Sequence, residues 1–195
     1  VGFITVDENT ALNIQELRAM PDGGRVTRLV VHRGQARLRV RPFTHDSSDL
    51  EIETPAGWSA VRGTDFGITV HPNGNTGIAT LDGAVDVQAQ GVEVDVDAGF
   101  QTLIVQGEPP LPPTPLEGEG DVRLQLRRLT QVEDNLAQVV GQVDPVNLLI
   151  LNDVPQDIDA SGRFDVQISF DENRMIQARV VTPLGRQQRY ELAIP

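Results

Sequence analysis

Cysteine and lysine are both absent from this chain of 195 residues. Without cysteine, the protein has no disulfide bond, no thiolate nucleophile and no zinc–thiolate site. Because all 16 cationic residues are arginines, Schiff-base chemistry and the lysine of a phosphate-binding loop are excluded as well. Aromatic residues make up only 4% of the chain, with a single tryptophan, which argues against the aromatic platforms that bind neutral sugars.

Long apolar runs and a basic surface are also lacking. No segment approaches the ~20 apolar residues that a membrane-spanning helix needs, so we predict no membrane insertion in this segment. The start of the chain, Val1 to Val6, has no signal-peptide pattern and reads as a strand, so we expect a mature or trimmed chain. The net charge of -12 repels phosphate backbones, which argues against nucleic acid as a partner.

The chain does contain a regular series of turn signals. Clusters of glycine, proline, asparagine and aspartate recur about every 8 to 12 residues, a spacing typical of all-β sandwiches, barrels and solenoids. Between them, Val92 to Val96 and Phe164 to Phe170 alternate apolar with polar residues, as half-buried strands do. Asn73-Gly74 is the strongest hairpin signal, because a two-residue primed turn needs two positive φ angles. We predict an all-β protein.

A stretch rich in proline and glycine, residues 107–120, divides the chain. Because proline donates no hydrogen bond to a sheet, we predict an extended, semi-rigid linker there. It separates an N-terminal domain of residues 1–106 from a C-terminal domain of residues 121–195. By propensity, Glu8 to Met20 and Gln131 to Val140 could each form a short helix instead of a strand.

The N-terminal part contains an ordered series of motifs. Thr54-Pro55 precedes Val61-Arg62-Gly63-Thr64 and an aromatic residue, and strand-turn steps follow at Leu81 to Val87 and Val96 to Phe100. This series resembles the signature of the FecR domain family over approximately the first 107 residues. The resemblance implies a FecR-like β-solenoid or sandwich located outside the cytoplasm, in the periplasm or at the cell surface. A signature inside a β-core more often fixes the fold than recognises a ligand, so we expect structural roles for Thr54, Pro55, Val61, Arg62, Gly63, Thr64 and Phe66.

The C-terminal part has a resemblance of its own. Val140 to Pro145 and Ile158 to Phe164 are similar to bacterial immunoglobulin-like repeats, which usually act as spacers or stalks. Residues 121–195 are therefore expected to form an immunoglobulin-like β-sandwich.

One basic stripe is predicted on the otherwise acidic surface. Arg37, Arg39 and Arg41 alternate with apolar residues, so on a strand their side chains would share one face. Such a stripe would bind an anionic glycan or an acidic partner surface. The alternative is a solvated face whose arginines pair with Glu51, Glu53 or other acids on a neighbouring strand.

Three further patterns are incomplete. Gly57-Trp58-Ser59-Ala60-Val61 lacks the second glycine of a nucleophile elbow. The run from Asp157 to Asp165 matches the first positions of a calcium loop, but Ile168 stands where a bidentate glutamate is needed, and a hairpin turn explains Gly162 equally well. The three histidines share no spacing that suits a metal. We therefore predict no catalytic residue, no metal site and no cofactor.

These features together predict a binding protein. The best-known FecR proteins transmit a signal from an outer-membrane transporter to a sigma factor, whereas others carry the domain beside cell-wall or adhesive modules. Because this sequence shows neither an anti-sigma segment nor a membrane helix, we predict a non-enzymatic extracytoplasmic interaction or scaffold module. Its partner would be another envelope protein or a surface polymer. The alternatives are a cell-surface protein that binds anionic glycans and the periplasmic part of a transmembrane signalling relay.

Overall fold

The computed structural model describes residues 2–195, so Val1, which begins both the first predicted strand and the predicted domain 1–106, lies outside the described residues. The described residues form 18 β-strands and no helix, which confirms the all-β prediction. None of residues 2–195 therefore belongs to a helix long and apolar enough to span a membrane.

The N-terminal part of the chain forms one 11-stranded sheet. Its strands are Phe3–Val6 (β1), Ala11–Ala19 (β2), Arg25–Arg39 (β3), Asp49–Glu53 (β4), Trp58–Val61 (β5), Asp65–Val70 (β6), Thr76–Asp82 (β7), Ala84–Ala89 (β8), Val92–Asp97 (β9), Phe100–Ile104 (β10) and Thr114–Pro115 (β11). The order is β11-β10-β7-β6-β3-β4-β5-β8-β9, and β1 and β2 both pair with β3. The pair β3 and β4 is parallel and the other pairs are antiparallel.

Strand β3 is 15 residues long and belongs to both halves of this sheet. Its first part pairs with β2 and β4, and its last part pairs with β1 and β6. The partners change next to Gly34, whose φ of 95° suits glycine and whose missing side chain leaves room for Thr10. The two halves share one apolar core, which includes Leu29, Ile52, Phe66 and Val85.

The C-terminal part forms two smaller sheets. Its strands are Gln125–Glu133 (β12), Leu136–Gln142 (β13), Leu148–Leu151 (β14), Val154–Gln156 (β15), Arg163–Ser169 (β16), Met175–Val181 (β17) and Gln187–Ala193 (β18). One sheet has the order β12-β13-β16 and the other β15-β14-β17-β18. Side chains of both sheets meet in a second core, which includes Val139, Leu149, Phe164 and Ile176. This part is thus a sandwich of two sheets, and its immunoglobulin-like character stays a prediction.

The proline-rich segment packs on the first sheet. β11 pairs with the start of β10, and the Leu111 N–H donates to the Leu103 carbonyl at 3.0 Å. Proline is tolerated because β11 is an edge strand, whose outer side needs no N–H donor. Residues 107–120 therefore include an edge strand, where the sequence predicted only an extended connector. The domain boundaries at 1–106, 107–120 and 121–195 stay a prediction.

Both stretches with helical propensity are strands. Residues 8–20 contain β2, and residues 131–140 contain the end of β12 and most of β13. The helical alternative is wrong because each segment gains a full antiparallel neighbour, which outweighs its intrinsic propensity.

The hairpin predicted at Asn73-Gly74 is present, but its turn differs from the predicted type. The ladder between β6 and β7 continues to a hydrogen bond from His71 N–H to the Asn75 carbonyl (2.9 Å), and only Gly74 of the loop has a positive φ. Two-residue turns with two positive φ angles lie instead at Gln90-Gly91, between β8 and β9, and at Asn152-Asp153, between β14 and β15.

Candidate partner-binding site

Arg37, the first residue of the predicted basic stripe, is held by contacts within the chain. Its Nε and Nη2 donate to the two carboxylate oxygens of Asp65 at 2.9 and 3.0 Å. Its Nη1 donates to Glu119 at 3.0 Å and to the Leu184 carbonyl at 3.2 Å. The hydrogen bonds from Asp65, above all, raise the pKa of the Arg37 guanidinium although burial opposes them. With 14% of its side chain exposed, Arg37 ties the two parts of the chain together.

Arg39 and Arg41 remain on the surface. Arg39 is 62% exposed, and its Nε lies 3.3 Å from an oxygen of Asp65. Arg41 is exposed and lies beyond the end of β3. The three arginines therefore do not form one solvent-facing stripe, because Arg37 is occupied and Arg41 is off the strand. Partner binding through Arg39 and Arg41 stays a prediction.

The first signature residues form the turn between β4 and β5. The Thr54 hydroxyl donates to the Gly57 carbonyl at 3.1 Å and accepts the Gly57 N–H at 3.3 Å. The Thr76 hydroxyl, from β7, donates to the Thr54 hydroxyl at 3.0 Å. Pro55 is exposed in the same turn. Thr54 therefore closes the turn through Gly57 and also links it to Thr76 of β7.

The later signature residues lie in or beside the core. Val61 and Phe66 are core residues, at 1% and 0% exposure. The Thr64 hydroxyl donates to the Ala84 carbonyl at 2.9 Å and thereby joins the start of β6 to the start of β8. These positions fit packing and turn formation, which are structural tasks.

Gly63 and Arg62 lie in the bend between β5 and β6. Gly63 has a φ of 130°, and a Cβ there would collide with the backbone of Pro42. Arg62 is exposed. Only glycine fits both the backbone angle and the space at position 63.

The incomplete catalytic and metal motifs form an ordinary turn and an ordinary strand. Asp159 accepts hydrogen bonds from the Ser161 hydroxyl (2.7 Å), the Ser161 N–H (2.8 Å) and the Arg163 N–H (3.0 Å). The bond from the Ser161 hydroxyl contributes most to lowering the pKa of Asp159. Ser59 of the incomplete elbow is buried in β5. Within residues 2–195, no group of histidine and acidic side chains is placed to hold a metal ion.

The outer face of β6 and β7 is covered by the C-terminal part of the chain. Gly67 and Gly77 lie on this face, where a Cβ would collide with the backbone of Pro183 and of Val146, respectively. The Thr69 hydroxyl, between them on the same face, donates to the Val146 carbonyl. Backbone thus packs directly on backbone, which requires glycine at both positions. We call this contact the covered face.

Polar side chains extend the covered face. Gln35 Nε2 donates to the Pro183 carbonyl at 2.6 Å, and Gln101 Nε2 donates to an oxygen of Asp144 at 3.0 Å. Arg179, whose side chain is 7% exposed, donates to Asp7 at 3.0 Å. The two parts of the chain are therefore joined by directional bonds at several separate points.

His71, at the end of β6, is buried at this junction. It is 2% exposed, and neither ring nitrogen forms a hydrogen bond of normal geometry with the described residues. Burial lowers the pKa of His71 to about 4, and the nearby Val146 backbone offsets only part of that effect. The imidazole is consequently neutral at pH 7.

An open apolar groove lies between β1 and β2. Its volume is about 340 Å³, and core leucines of β3 and β4 form part of its lining. Large apolar side chains stand exposed along it: Phe3 (71%), Ile4 (43%), Ile14 (61%) and Leu17 (70%). We call this feature the β1–β2 groove. Contiguous exposed apolar side chains of this kind mark interaction sites.

Few charges border the β1–β2 groove. Its charged or titratable lining residues are Arg25, His45 and Asp49. Burial, followed by repulsion from Glu51, raises the pKa of the Asp49 carboxyl. The groove therefore lacks the strong negative character of the chain as a whole, whose net charge is -12.

The sequence contains a signal for this groove that the prediction missed. Ile14 and Leu17 are three residues apart, a spacing that suits one face of a helix. In the structure, β2 has an irregularity between Ile14 and Glu16, which interrupts the two-residue alternation. Large apolar residues on such an irregular edge strand indicate an exposed apolar surface.

Comparison with protein families identifies the N-terminal part. The model of the family described as "FecR protein" matches residues 2–86. The match confirms the predicted resemblance to FecR proteins over these residues. The matched segment includes β1 to β7 and the first half of β8, and therefore both strands of the groove and the whole Thr54 to Phe66 signature.

Solved structures offer a distant likeness. Two crystal structures of a candidate anti-sigma factor from Parabacteroides distasonis ATCC 8503, at 2.50 and 1.65 Å resolution, are each 11% identical to this chain with a TM-score of 0.41. They cover 59% and 58% of this chain, which spans 60% and 59% of theirs. No curated protein matches the chain.

Proposed function

We propose that this chain is a non-enzymatic, extracytoplasmic interaction module of the FecR type. It binds an extended apolar segment of another envelope protein in the β1–β2 groove. The observation that carries the proposal is the exposure of Ile14 and Leu17, at 61% and 70%, beside the similarly exposed Phe3. Burying such side chains against a partner contributes about 25 cal/mol per Å² of apolar surface removed from water.

The edges of β1 and β2 explain why the bound segment is extended. Each of these strands pairs with β3 on one side and with no other strand of the described chain. Their free N–H and C=O groups can pair with an added strand, which gains affinity from backbone hydrogen bonds and specificity from apolar pockets. The occupant is therefore a β-strand of the partner.

The charges around the groove define the composition of that strand. Arg25 offers a cation at the groove, whereas much of the remaining surface is acidic. An apolar strand with an acidic residue opposite Arg25 gains complementary charge there. A basic strand would instead be drawn to the rest of the surface.

The test starts from site-directed photo-crosslinking. A photoreactive amino acid at position 17 captures the neighbouring protein in intact envelopes, and the captured protein is then purified. Isothermal titration calorimetry measures its binding to the unmodified chain. We expect binding that the double substitution Ile14→Ser, Leu17→Ser weakens by at least about tenfold, which corresponds to about 1.4 kcal/mol.

The matched control is Val154→Ser, which replaces an exposed apolar residue of the C-terminal part (56% exposed). Binding should be unchanged in this variant. Retention of full affinity by the Ile14, Leu17 variant would exclude the groove as the binding site. The crosslink could instead capture a second copy of this chain. If the double substitution then dissociates that dimer, the groove mediates self-association and does not bind a partner protein.

A further inference from the structure

A second cleft opens beside Trp58, and its lining combines outward-facing polar side chains with the core residues Leu29, Ile52, Ala56 and Ala89. It has a volume of about 660 Å³ and opens between β2, β3, β4, β5 and the β8–β9 turn. Its lining includes Gln15, Arg28, Glu53, Trp58 and Gln88. The side chains of β4 alternate here, with Leu50 and Ile52 in the core and the glutamates facing outward.

Trp58, the single tryptophan of the chain, stands in this cleft and not in the core. It is 42% exposed at the start of β5, between Glu53 of β4 and Gln88 of β8. The residue before it, Gly57, lies so close to β8 that a Cβ would be 2.5 Å from the Gln88 carbonyl. The tight loop held by Thr54 therefore sets the indole on an open, polar sheet face.

The polar groups around the indole are available to a ligand. In the part of the chain that the structure describes, the side chains of Gln15, Gln88, Gln90 and Glu53 form no hydrogen bond or ion pair. Amides supply both donors and acceptors, and a carboxylate supplies acceptors. The low aromatic content of the sequence argued against a platform of several aromatic residues. The exposed plane of Trp58, framed by these polar groups, nevertheless suits one sugar ring, whose C–H face packs on the indole while its hydroxyls bond outward.

The charges of the cleft select against acidic sugars. Arg28, the cation among the lining residues, pairs with Glu51 at 2.8 Å and with Glu16 at 3.3 Å. Glu53 adds a further negative charge at the rim. A uronic acid or a sulfated sugar would meet carboxylates without a free cation, whereas a neutral sugar meets no such repulsion.

We propose that the Trp58 cleft binds a neutral oligosaccharide, with the indole as the stacking surface and Gln15, Gln88 and Gln90 as hydrogen-bonding groups. This site is distinct from the β1–β2 groove, because the two linings have only Leu29 in common. Binding of an oligosaccharide in the Trp58 cleft does not depend on the protein partner proposed for the β1–β2 groove. A module with both sites would bind a partner protein while remaining attached to a neutral envelope polysaccharide.

The test uses the intact chain and a panel of neutral hexasaccharides of glucose, N-acetylglucosamine, mannose and galactose. Because Trp58 is the only indole, its fluorescence reports directly on the cleft, and calorimetry gives the affinity of variants that lack it. We expect at least one hexasaccharide to bind and to change the Trp58 emission. Trp58→Ala should weaken binding by about tenfold or more, whereas Trp58→Phe should retain most of it.

Phe100→Ala is the matched control, because Phe100 is another partly exposed aromatic residue (38%) outside the cleft. It should bind the sugar as the unchanged chain does, and thermal unfolding verifies that each variant is folded. Three results would overturn the proposal: no binding of any neutral hexasaccharide at millimolar concentration, equal binding by Trp58→Ala, or tighter binding of an oligogalacturonate. Substitution of Ile14 and Leu17 should leave sugar binding unchanged, so the two proposals fail independently.

Discussion

The covered face and the β1–β2 groove are two surfaces of the same N-terminal sheet, and their chemistry is opposite. The covered face is lined by glycine, threonine and glutamine, and the rest of the chain satisfies it with hydrogen bonds such as that from Gln35 to Pro183. The groove is lined by large apolar side chains, and no described residue covers Leu17. The covered face, which meets its own chain, is polar, close-packed and directional, whereas the β1–β2 groove, which is left open, is apolar.

This difference separates the determinants of stability from those of binding. Residues of the covered face should contribute to the free energy of unfolding, because their partners lie in the same chain. The exposed side chains of the groove, such as Ile14 and Leu17, should contribute little to it, because they are already in water. Substitutions on the two surfaces can therefore test the comparison directly.

The largest effect is expected from filling the covered face. Gly67→Val together with Gly77→Val places side chains where the backbones of Pro183 and Val146 now lie. Overpacking at two sites should lower the free energy of unfolding by about 4 kcal/mol and separate the two parts of the chain. Urea denaturation should then show two transitions in place of one, and small-angle scattering should show a larger radius of gyration.

Gly91→Ala is the control for losing a glycine. The φ of 75° at Gly91 makes alanine unfavourable there, but no atom would lie within 4 Å of the added Cβ. The cost should be about 1 kcal/mol, with a single transition. An unchanged transition in the double valine variant would mean that the two parts do not pack as described.

The second effect concerns pH and the buried His71. Its pKa is about 4 in the folded protein against 6.5 for an exposed histidine. Between these values the unfolded chain binds the proton and the folded chain does not, so stability falls as the pH drops from about 6.5 to 4. The full difference corresponds to about 3 kcal/mol.

Urea denaturation at a series of pH values measures this effect. His71→Leu should remove most of the dependence between pH 6.5 and 4, whereas His32→Gln, at an exposed position, should leave it unchanged. A steep dependence that survives in His71→Leu would assign the acid sensitivity to the carboxylates of the chain.

The third prediction compares the loss of stability at two neighbouring arginines of the predicted stripe. Arg37→Ala removes a largely buried guanidinium from Asp65 and from the Leu184 carbonyl, and should cost about 2 kcal/mol in urea denaturation. Arg39→Ala, at 62% exposure, should cost less than about 0.5 kcal/mol. Equal costs would show that the contacts of Arg37 with Asp65 and Leu184 do not stabilise the fold. The anionic-glycan alternative is tested with Arg39 and Arg41 alone, because replacing Arg37 would disturb the fold.

The sequence predicted the elements that follow local rules. Alternation identified β9 and β16, and glycine turns identified most hairpins, because each depends on a few consecutive residues. It left residues 8–20 open between strand and helix, because Ile14 and Leu17 keep helical spacing and β2 forms by pairing with β3. It also did not distinguish Arg37 from Arg39, because the contact with Leu184 joins residues 147 positions apart. The groove, the covered face and the Trp58 cleft are all products of such distant contacts.

Substitutions in the β1–β2 groove should have the smallest effect on stability. The same substitutions should have the largest effect on binding of the partner protein. Ile14→Ser together with Leu17→Ser exchanges side chains that are already 61% and 70% exposed, so the free energy of unfolding should change by less than about 0.5 kcal/mol. The same variant should lose the partner protein in calorimetry. If it instead unfolds at markedly lower urea, the groove is part of the structural core, and the contrast with the covered face disappears.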